Sequence, residues 1–408
     1  MSGEWNGLNA HKRHFVRQEF DEDGETTKDH SFDKYYDVTD VKFDPKRPAS
    51  VVSAGRDGFI RVQDINRKEP LGGSRIMEFW PGHNDGHHNT GHYPHTLLFR
   101  DSGPTTLAIG STDGHVYVYN DSIWRDQFDP SICVKLDAAH GKAHNSGEMV
   151  WGRGNTLYVS SEPRDSENDH SGYHTAFDVS RPDAFTKFPD VRNSGDSLAI
   201  DSTGQNLALI TRATAGVHTL RLYDVARQMG ARASSKVALE NFAFECDTSL
   251  HFASEVTSSS FSPDGRLLAI ARNDDRLHVY DTRYLGKGPL LQFYHWGELR
   301  EDAVTGWDNE NAKILHYGIT CARWVEGWYG HGLGIISGGG DGCVRLWDVM
   351  GSDTDPRNGE IIAEASWSIG RISLGDQSKG EKPLVVGDNG GRVYIYDHVS
   401  GSLEDAEP

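Results

Sequence analysis

One unit, repeated along the whole length, limits what this chain can fold into. Its clearest copy is ISGGGDGCVRLWDVMG, from Ile336 to Gly351, in which an apolar run ends in small residues, turns at Asp341-Gly342 and continues as an alternating strand to Trp347-Asp348. Asp-Gly between two such runs signals a hairpin, because the turn needs positive φ and glycine adopts it without a Cβ clash. VVSAGRDGFIRVQDI repeats the pattern with its turn at Asp57-Gly58, and LAIGSTDGHVYVYND with its turn at Asp113-Gly114. Shorter copies end at Phe177-Asp178, Tyr223-Asp224, Tyr280-Asp281 and Tyr396-Asp397. The strand ends at Asp64, Asn120, Asp178, Asp224, Asp281, Asp348 and Asp397 make seven, always more than 40 residues apart.

A second hairpin precedes several copies. VKFDPKRP from Val41, LAIDSTGQNLAL from Leu198 and SFSPDGRLLAI from Ser260 each place a polar turn between apolar strands, so each unit holds at least three strands. No segment sustains a 3.6-residue apolar period, which confines helices to insertions. The 45 glycines among 408 residues, beside only 15 prolines, suit a chain of many tight turns rather than a disordered linker.

Charge excludes some functions. With 41 Lys and Arg against 60 Asp and Glu the net charge is −19, a field that repels nucleic-acid backbones and anionic membranes and favours basic partners. The local basic run, His11 to His14, is short. The four cysteines, Cys133, Cys246, Cys321 and Cys343, form no CxxC pair and suit a reducing compartment. The chain carries no apolar stretch of signal-peptide or membrane-span length, so an intracellular protein, cytoplasmic or nuclear, is expected.

FSPDG at 261–265, SGGGDGCVRLWD at 337–348, SAGRDGFIRVQD at 53–64 and the aromatic-acid or aromatic-amide strand ends together resemble the WD-repeat family. The resemblance spans roughly residues 37–400. It implies an all-β fold, a seven-bladed β-propeller of four-stranded antiparallel blades around a central channel. Residues 37–408 are then the propeller and residues 1–36 an N-terminal arm. Few residues follow Asp397, so the last blade needs an outer strand from elsewhere, and the alternating stretch HFVRQEF at 14–20 is expected to supply it.

The same resemblance implies a polar network within a blade: His316 before the first strand, Ser337 on the second, Asp341 in the turn and Trp347 on the third. These residues read as struts rather than a hydrolytic triad. Other repeats depart from the pattern, with Gln63, Phe177 or Tyr280 at the Trp position and Ile109 or Ile270 at the Ser position.

The implied function is a non-catalytic scaffold for protein-protein interaction in a multiprotein complex. No catalytic residue, metal ligand set or cofactor is assigned; an enzyme of the propeller lactonase or hydrolase type is the rival class. Length beyond seven minimal repeats concentrates in 66–94, 121–145, 161–173, 226–250 and 285–315. The run at 81–95 holds His83, His87, His88, His92 and His95 and reads as a solvated loop, with incidental metal binding as the alternative. Segment 293–315 sets Trp296 and Trp307 among carboxylates including Glu301 and Asp302, suited to a basic peptide or protein surface. The alternative is that Phe293 and Tyr294 form an outer strand and Trp296 covers a blade edge. Tyr280-Asp281-Thr282-Arg283 is similar to the box by which WD proteins act as substrate receptors of cullin-4 ubiquitin ligases, Arg283 then reaching the adaptor.

Overall fold

Side chains alternate along a strand, so a strand apolar at every position must bury both faces. Segments such as Leu207-Ala208-Leu209-Ile210 do so here. The computed structural model describes residues 6–8, 12–20, 26–64, 75–81, 92–100, 103–120, 129–136, 144–163, 171–188, 191–214, 217–225, 242–244, 256–295, 318–328, 332–351, 358–375 and 383–396. These form seven four-stranded antiparallel sheets, the blades of a propeller.

Blade 1 runs Val38–Asp44, Arg47–Gly55, Ile60–Asp64 and Arg75–Phe79. Blade 2 runs Pro94–Phe99, Leu107–Ser111, His115–Tyr119 and Ile132–Lys135. Blade 3 is His144–Trp151, Thr156–Pro163, Tyr173–Asp178 and Arg181–Lys187. Blade 4 is Ser194–Ile200, Asn206–Thr214, Val217–Asp224 and Phe242–Phe244. Blade 5 comprises Val256–Phe261, Leu267–Arg272, Arg276–Asp281 and Leu291–Tyr294, with a 3-10 turn at Leu285–Lys287. Blade 6 comprises Ile319–Glu326, Leu333–Gly339, Cys343–Asp348 and Glu360–Glu364. Blade 7 draws Ile369–Leu374, Leu384–Asp388 and Val393–Tyr396 from its own repeat and Asn6–Leu8 from the N-terminal arm. The segments read from the sequence as insertions thus contain the outer strands of blades 1, 2, 4 and 5.

The core lies between blades. Seven apolar clusters occur among the described residues, each joining one blade to the next, the seventh joining blade 7 back to blade 1. In blade 4, Leu207, Leu209 and Tyr223 face blade 3, while Ala208, Ile210 and Leu220 face blade 5. First strands of neighbouring blades touch all round the ring.

The recurring strand end has a physical reason at both of its residues. Its aromatic side chain reaches back into the preceding blade. Tyr119 meets Phe79 edge-on at 5.3 Å, Trp347 stacks on Phe293 at 5.3 Å, and Tyr223 meets Phe188 at 5.1 Å. Tyr119, Phe177, Tyr223, Tyr280 and Trp347 are all buried. The acid that follows accepts a hydrogen bond from the backbone N–H two residues on: Asp178 from Ser180, Asp281 from Arg283 and Asp348 from Met350. That Asx turn starts the passage to the outer strand. At the hairpins, Gly58, Gly114, Gly265 and Gly342 all have positive φ, between +72° and +89°. Gly58 has no room either, since a Cβ there would lie 2.8 Å from the Trp80 ring.

Pairing of the first strand with the second slips register near its start in every blade, at Thr39, His95, Gly147-Glu148, Asp196, Thr257, Thr320 and Gly370. Such bulges re-aim the side chains that follow. Hydrogen bonds then tie one inner strand to the next: Thr39 Oγ1 to Pro94 O at 2.7 Å, Leu97 N to Asp40 Oδ2 at 2.7 Å, Ser197 Oγ with Ser259 Oγ at 2.7 Å, and Phe43 N to Ser373 Oγ at 3.2 Å.

The arm requires a correction. The strand laid against Val393–Tyr396 is Asn6–Leu8, not 14–20. Lys12–Phe20, which contains 14–20, pairs antiparallel with Thr26–Tyr35 in a separate two-stranded sheet. A partner a few residues along the chain costs little closure entropy, so the longer stretch takes the local pairing. Deleting residues 1–10 removes the outer strand and leaves Val393–Tyr396 as an open edge. The truncated protein is expected to melt several degrees lower and to associate with rising concentration, as read by calorimetry and light scattering.

Candidate protein-interaction face

Within the Tyr280-Asp281-Thr282-Arg283 box the four residues divide between core and solvent. Tyr280 is buried among residues of blades 4 and 5, and its hydroxyl lies 3.2 Å from His278 Nδ1. Arg283 leaves the blade in the turn that follows, its side chain 62% exposed. Asp281 holds it by Nε at 3.0 Å and by a terminal nitrogen at 2.6 Å, a two-point clasp that fixes a long side chain in place. This hydrogen bonding holds the Asp281 carboxyl down to about 2. Arg283 and Lys287 both lie over the Tyr284 ring, at 5.5 Å and 4.6 Å.

Exposed apolar side chains occur in the same turn and in its counterpart on blade 6. Tyr284 is 51% exposed and Leu290 60%, and Met350, in the corresponding turn of blade 6, is 74% exposed. Third strands run the same way in every blade, so the turns after Asp281 and Asp348 open on one face of the ring. Arg266 and Asp264, in the hairpin between the first two strands of blade 5, lie on that face as well. Sequence reasoning singled out Arg283 but not Tyr284, Lys287, Leu290 or Met350; the signal was Tyr284 and Lys287 following directly on the box.

Trp296, Glu301, Asp302, Trp307 and His316 lie outside the described residues. Phe293 is buried against Trp347, and Tyr294, its neighbour on the outer strand of blade 5, is partly exposed. Of the His-rich run, His83, His87 and His88 are likewise outside. His92 and His95 are described, and burial pushes His95 below its ordinary value. Among the described residues no group of three His, Cys, Asp or Glu is placed to hold a metal, and no helix is long and apolar enough to cross a membrane.

The blade 6 residues Ser337, Asp341 and Trp347 make two separate sets of polar contacts. Trp347 Nε1 donates to the fully buried Ser337 Oγ at 2.8 Å. Asp341 accepts from Cys343 N at 3.0 Å and from Arg345 at 3.0 Å. The imidazole facing Asp341 is that of His295, with Nδ1 3.5 Å from the carboxylate, and it arrives from the end of blade 5. Turn carboxylates in other blades reach their own third strands, Asp57 to Arg61 at 2.6 Å and Asp113 to the Tyr117 hydroxyl at 2.7 Å. The Asp57 and Asp113 contacts are in-blade struts.

Two expectations follow. Trp347→Phe keeps the stacking but leaves Ser337 without its donor, and should lower unfolding free energy by about 1–3 kcal/mol, measured by denaturant titration, with Ser337→Ala restoring part of it. Burial brings His278 and His295 to about 4. Depressed values mean that their contribution is full above the unfolded value of 6.5 and is lost as pH falls toward 4, on the order of 3 kcal/mol each. Asp388, raised by burial to about 6, works in the opposite sense over part of that window. A net acid destabilisation between pH 6.5 and 4 is expected in melting curves, shallower in His295→Gln.

Comparison with known proteins fits this geometry. The family model described as "WD domain, G-beta repeat" matches residues 244–281 and 313–348, the repeats that form blades 5 and 6. Ribosome biogenesis protein ytm1 of Neosartorya fischeri is 24% identical over 350 residues, covering 83% of this chain and 63% of that protein. The chain therefore spans less than two thirds of the length of that relative. Rik1-associated factor 1 of Schizosaccharomyces pombe is 26% identical over 183 residues, covering 43% of this chain and 26% of that one. Among solved structures, the Dos1 propeller superposes with a TM-score of 0.60 over 96% of this chain and 82% of its own, at 19% identity, a likeness of fold. With seven copies of the repeat, seven blades and a family model seated on two of them, this chain is a seven-bladed β-propeller that carries WD-type repeats.

Proposed function

We propose that this propeller is a non-catalytic platform on which other proteins assemble, and that the turns following the third strands of blades 5 and 6 form a docking face. The observation that carries the reading is the clasped, outward Arg283 over exposed Tyr284, on a face that also exposes Leu290 and Met350. A fixed cation on an exposed aromatic ring suits an interface centre, where Arg and aromatic anchors concentrate binding energy. The polar contacts of the blades are spent on holding strands in register, and a rigid ring with variable turns is a scaffold for recognition. The printed names of the relatives, a ribosome biogenesis protein and a factor associated with Rik1, lend support to a role in assemblies.

The partner is expected to be basic overall, because the net charge of −19 steers it, and to present a carboxylate to Arg283. Segment 296–315, with Trp296, Glu301, Asp302 and Trp307, is the second contact in this reading. An adaptor of a cullin-4 ubiquitin ligase is the narrower possibility that the exposed Arg283 favours, with the protein then serving as a substrate receptor.

Affinity purification with mass spectrometry tests both readings. Wild type should retain a defined set of proteins, and Arg283→Glu should lose part of that set with unchanged melting temperature. Deletion should be confined to 296–315, since Leu285, Phe293 and His295 are buried in the blade. Identical sets from wild type, Arg283→Glu and the deletion would place binding on another surface. A set that loses proteins but never included a cullin-4 adaptor would discard the receptor reading alone.

A further inference from the structure

The inner strands of all seven blades line an axial cavity of about 660 Å³, in the size range of small-ligand sites. Its wall carries three cations, Lys42, Arg323 and Arg371, from three consecutive blades, 6, 7 and 1, beside three carboxylates, Asp40, Asp44 and Glu148. The common bulge sets their depth. Lys42 pairs with Val52, Arg323 with Ile336 and Ser373 with Val385, each two residues beyond the first pair after the register shift; Ser260, paired with Ala269, holds the same place in blade 5. Ser260, Arg323, Ser373 and Lys42 therefore form an arc at one level across four successive blades. Arg371 stands one pleat away.

The charges on this arc are not balanced within it. Asp40 takes Lys42 at 2.5 Å, and the same carboxylate accepts from Val41 N and Leu97 N. Glu148 reaches Arg371 from blade 3 at 3.3 Å. Arg323 donates to Ala322 O at 3.0 Å and to Ser258 Oγ at 3.5 Å, and has no carboxylate partner among the described residues. Ser260 Oγ is buried without a hydrogen-bond partner. Ser373 Oγ accepts from Phe43 N and keeps its own hydrogen to donate. Burial lowers the Lys42 ammonium below its ordinary value, and the positive charges of Arg323 and Arg371 lower it further. At the same level the opposite wall is Leu98, Trp151 and Ala199, with no charge.

We propose that this channel binds a phosphorylated small molecule, with its phosphoryl group on the Ser260–Arg323–Ser373–Lys42 arc and its less polar body against Leu98 and Trp151. A guanidinium and an ammonium flanked by two hydroxyls match the acceptor oxygens of a phosphate. An anion there would lie beside Arg323, the one of the three cations without a carboxylate partner among the described residues. The site is separate from the docking face, so its failure would leave the platform reading untouched.

Isothermal titration at physiological salt, with pyrophosphate, AMP and adenosine as probes, tests it. Pyrophosphate and AMP should bind and adenosine should not. Arg323→Gln and Lys42→Gln should each weaken binding by about tenfold or more, with circular dichroism unchanged, while Arg283→Glu should bind as wild type. Ser260→Asp places a carboxylate beside Arg323 and should abolish binding while melting no lower than the unliganded wild type. Absence of binding by both phosphate probes, or equal binding by wild type, Arg323→Gln and Lys42→Gln, would overturn the proposal. So would a phosphothreonine peptide that binds through the arc when neither small phosphate does.

Discussion

Everything in this ring depends on burial between blades rather than within them. A single blade presents two apolar faces and has no interior of its own, so its strands stay folded only while a neighbour covers each face. The seven clusters are these shared interiors. Blade 7 covers Val38, Val41 and Val51 of blade 1 just as blade 6 covers Ile369 and Ile372 of blade 7. A weak contact anywhere is therefore felt twice, and ring closure is a condition of stability rather than a consequence of it.

That dependence explains how much of the fold was legible. Third strands announced themselves because two local needs converge at their ends: an aromatic ring that plugs into the preceding blade and a carboxylate that starts an Asx turn. Both leave a mark in one-dimensional sequence, at Tyr119, Tyr223, Tyr280 and Trp347. Outer strands left none. Phe242–Phe244 and Ile132–Lys135 are short and embedded in what read as insertions. The alternation at 14–20 looked like a better closing strand than Asn6–Leu8, but alternation reports amphipathicity and not which edge is chosen.

The two proposed surfaces were legible to different degrees for a similar reason. Arg283 could be found because its box is contiguous. The channel could not, since the bulge in each inner strand breaks the two-residue period where it would have shown which side chains face the axis. Lys42 in VKFD, Arg323 in ARWV and Arg371 in GRIS look like ordinary strand charges until the ring brings three repeats together. His295 was hidden likewise: it belongs to the end of blade 5 and does its work on the turn of blade 6. A protein of net charge −19 thus lines its axis with as many cations as carboxylates.

The three-residue strand Asn6–Leu8 also sets an order of events during synthesis. It leaves the ribosome some 385 residues ahead of Val393–Tyr396, its partner. At ordinary elongation rates that is a wait of roughly 20–80 s. For all of that time blade 1 exposes the face that blade 7 will cover, so the nascent chain displays an uncovered apolar wall from its first completed repeat until nearly its last. A chaperone that recognises extended apolar surface has its longest opportunity there, and the finishing of the seventh blade ends it.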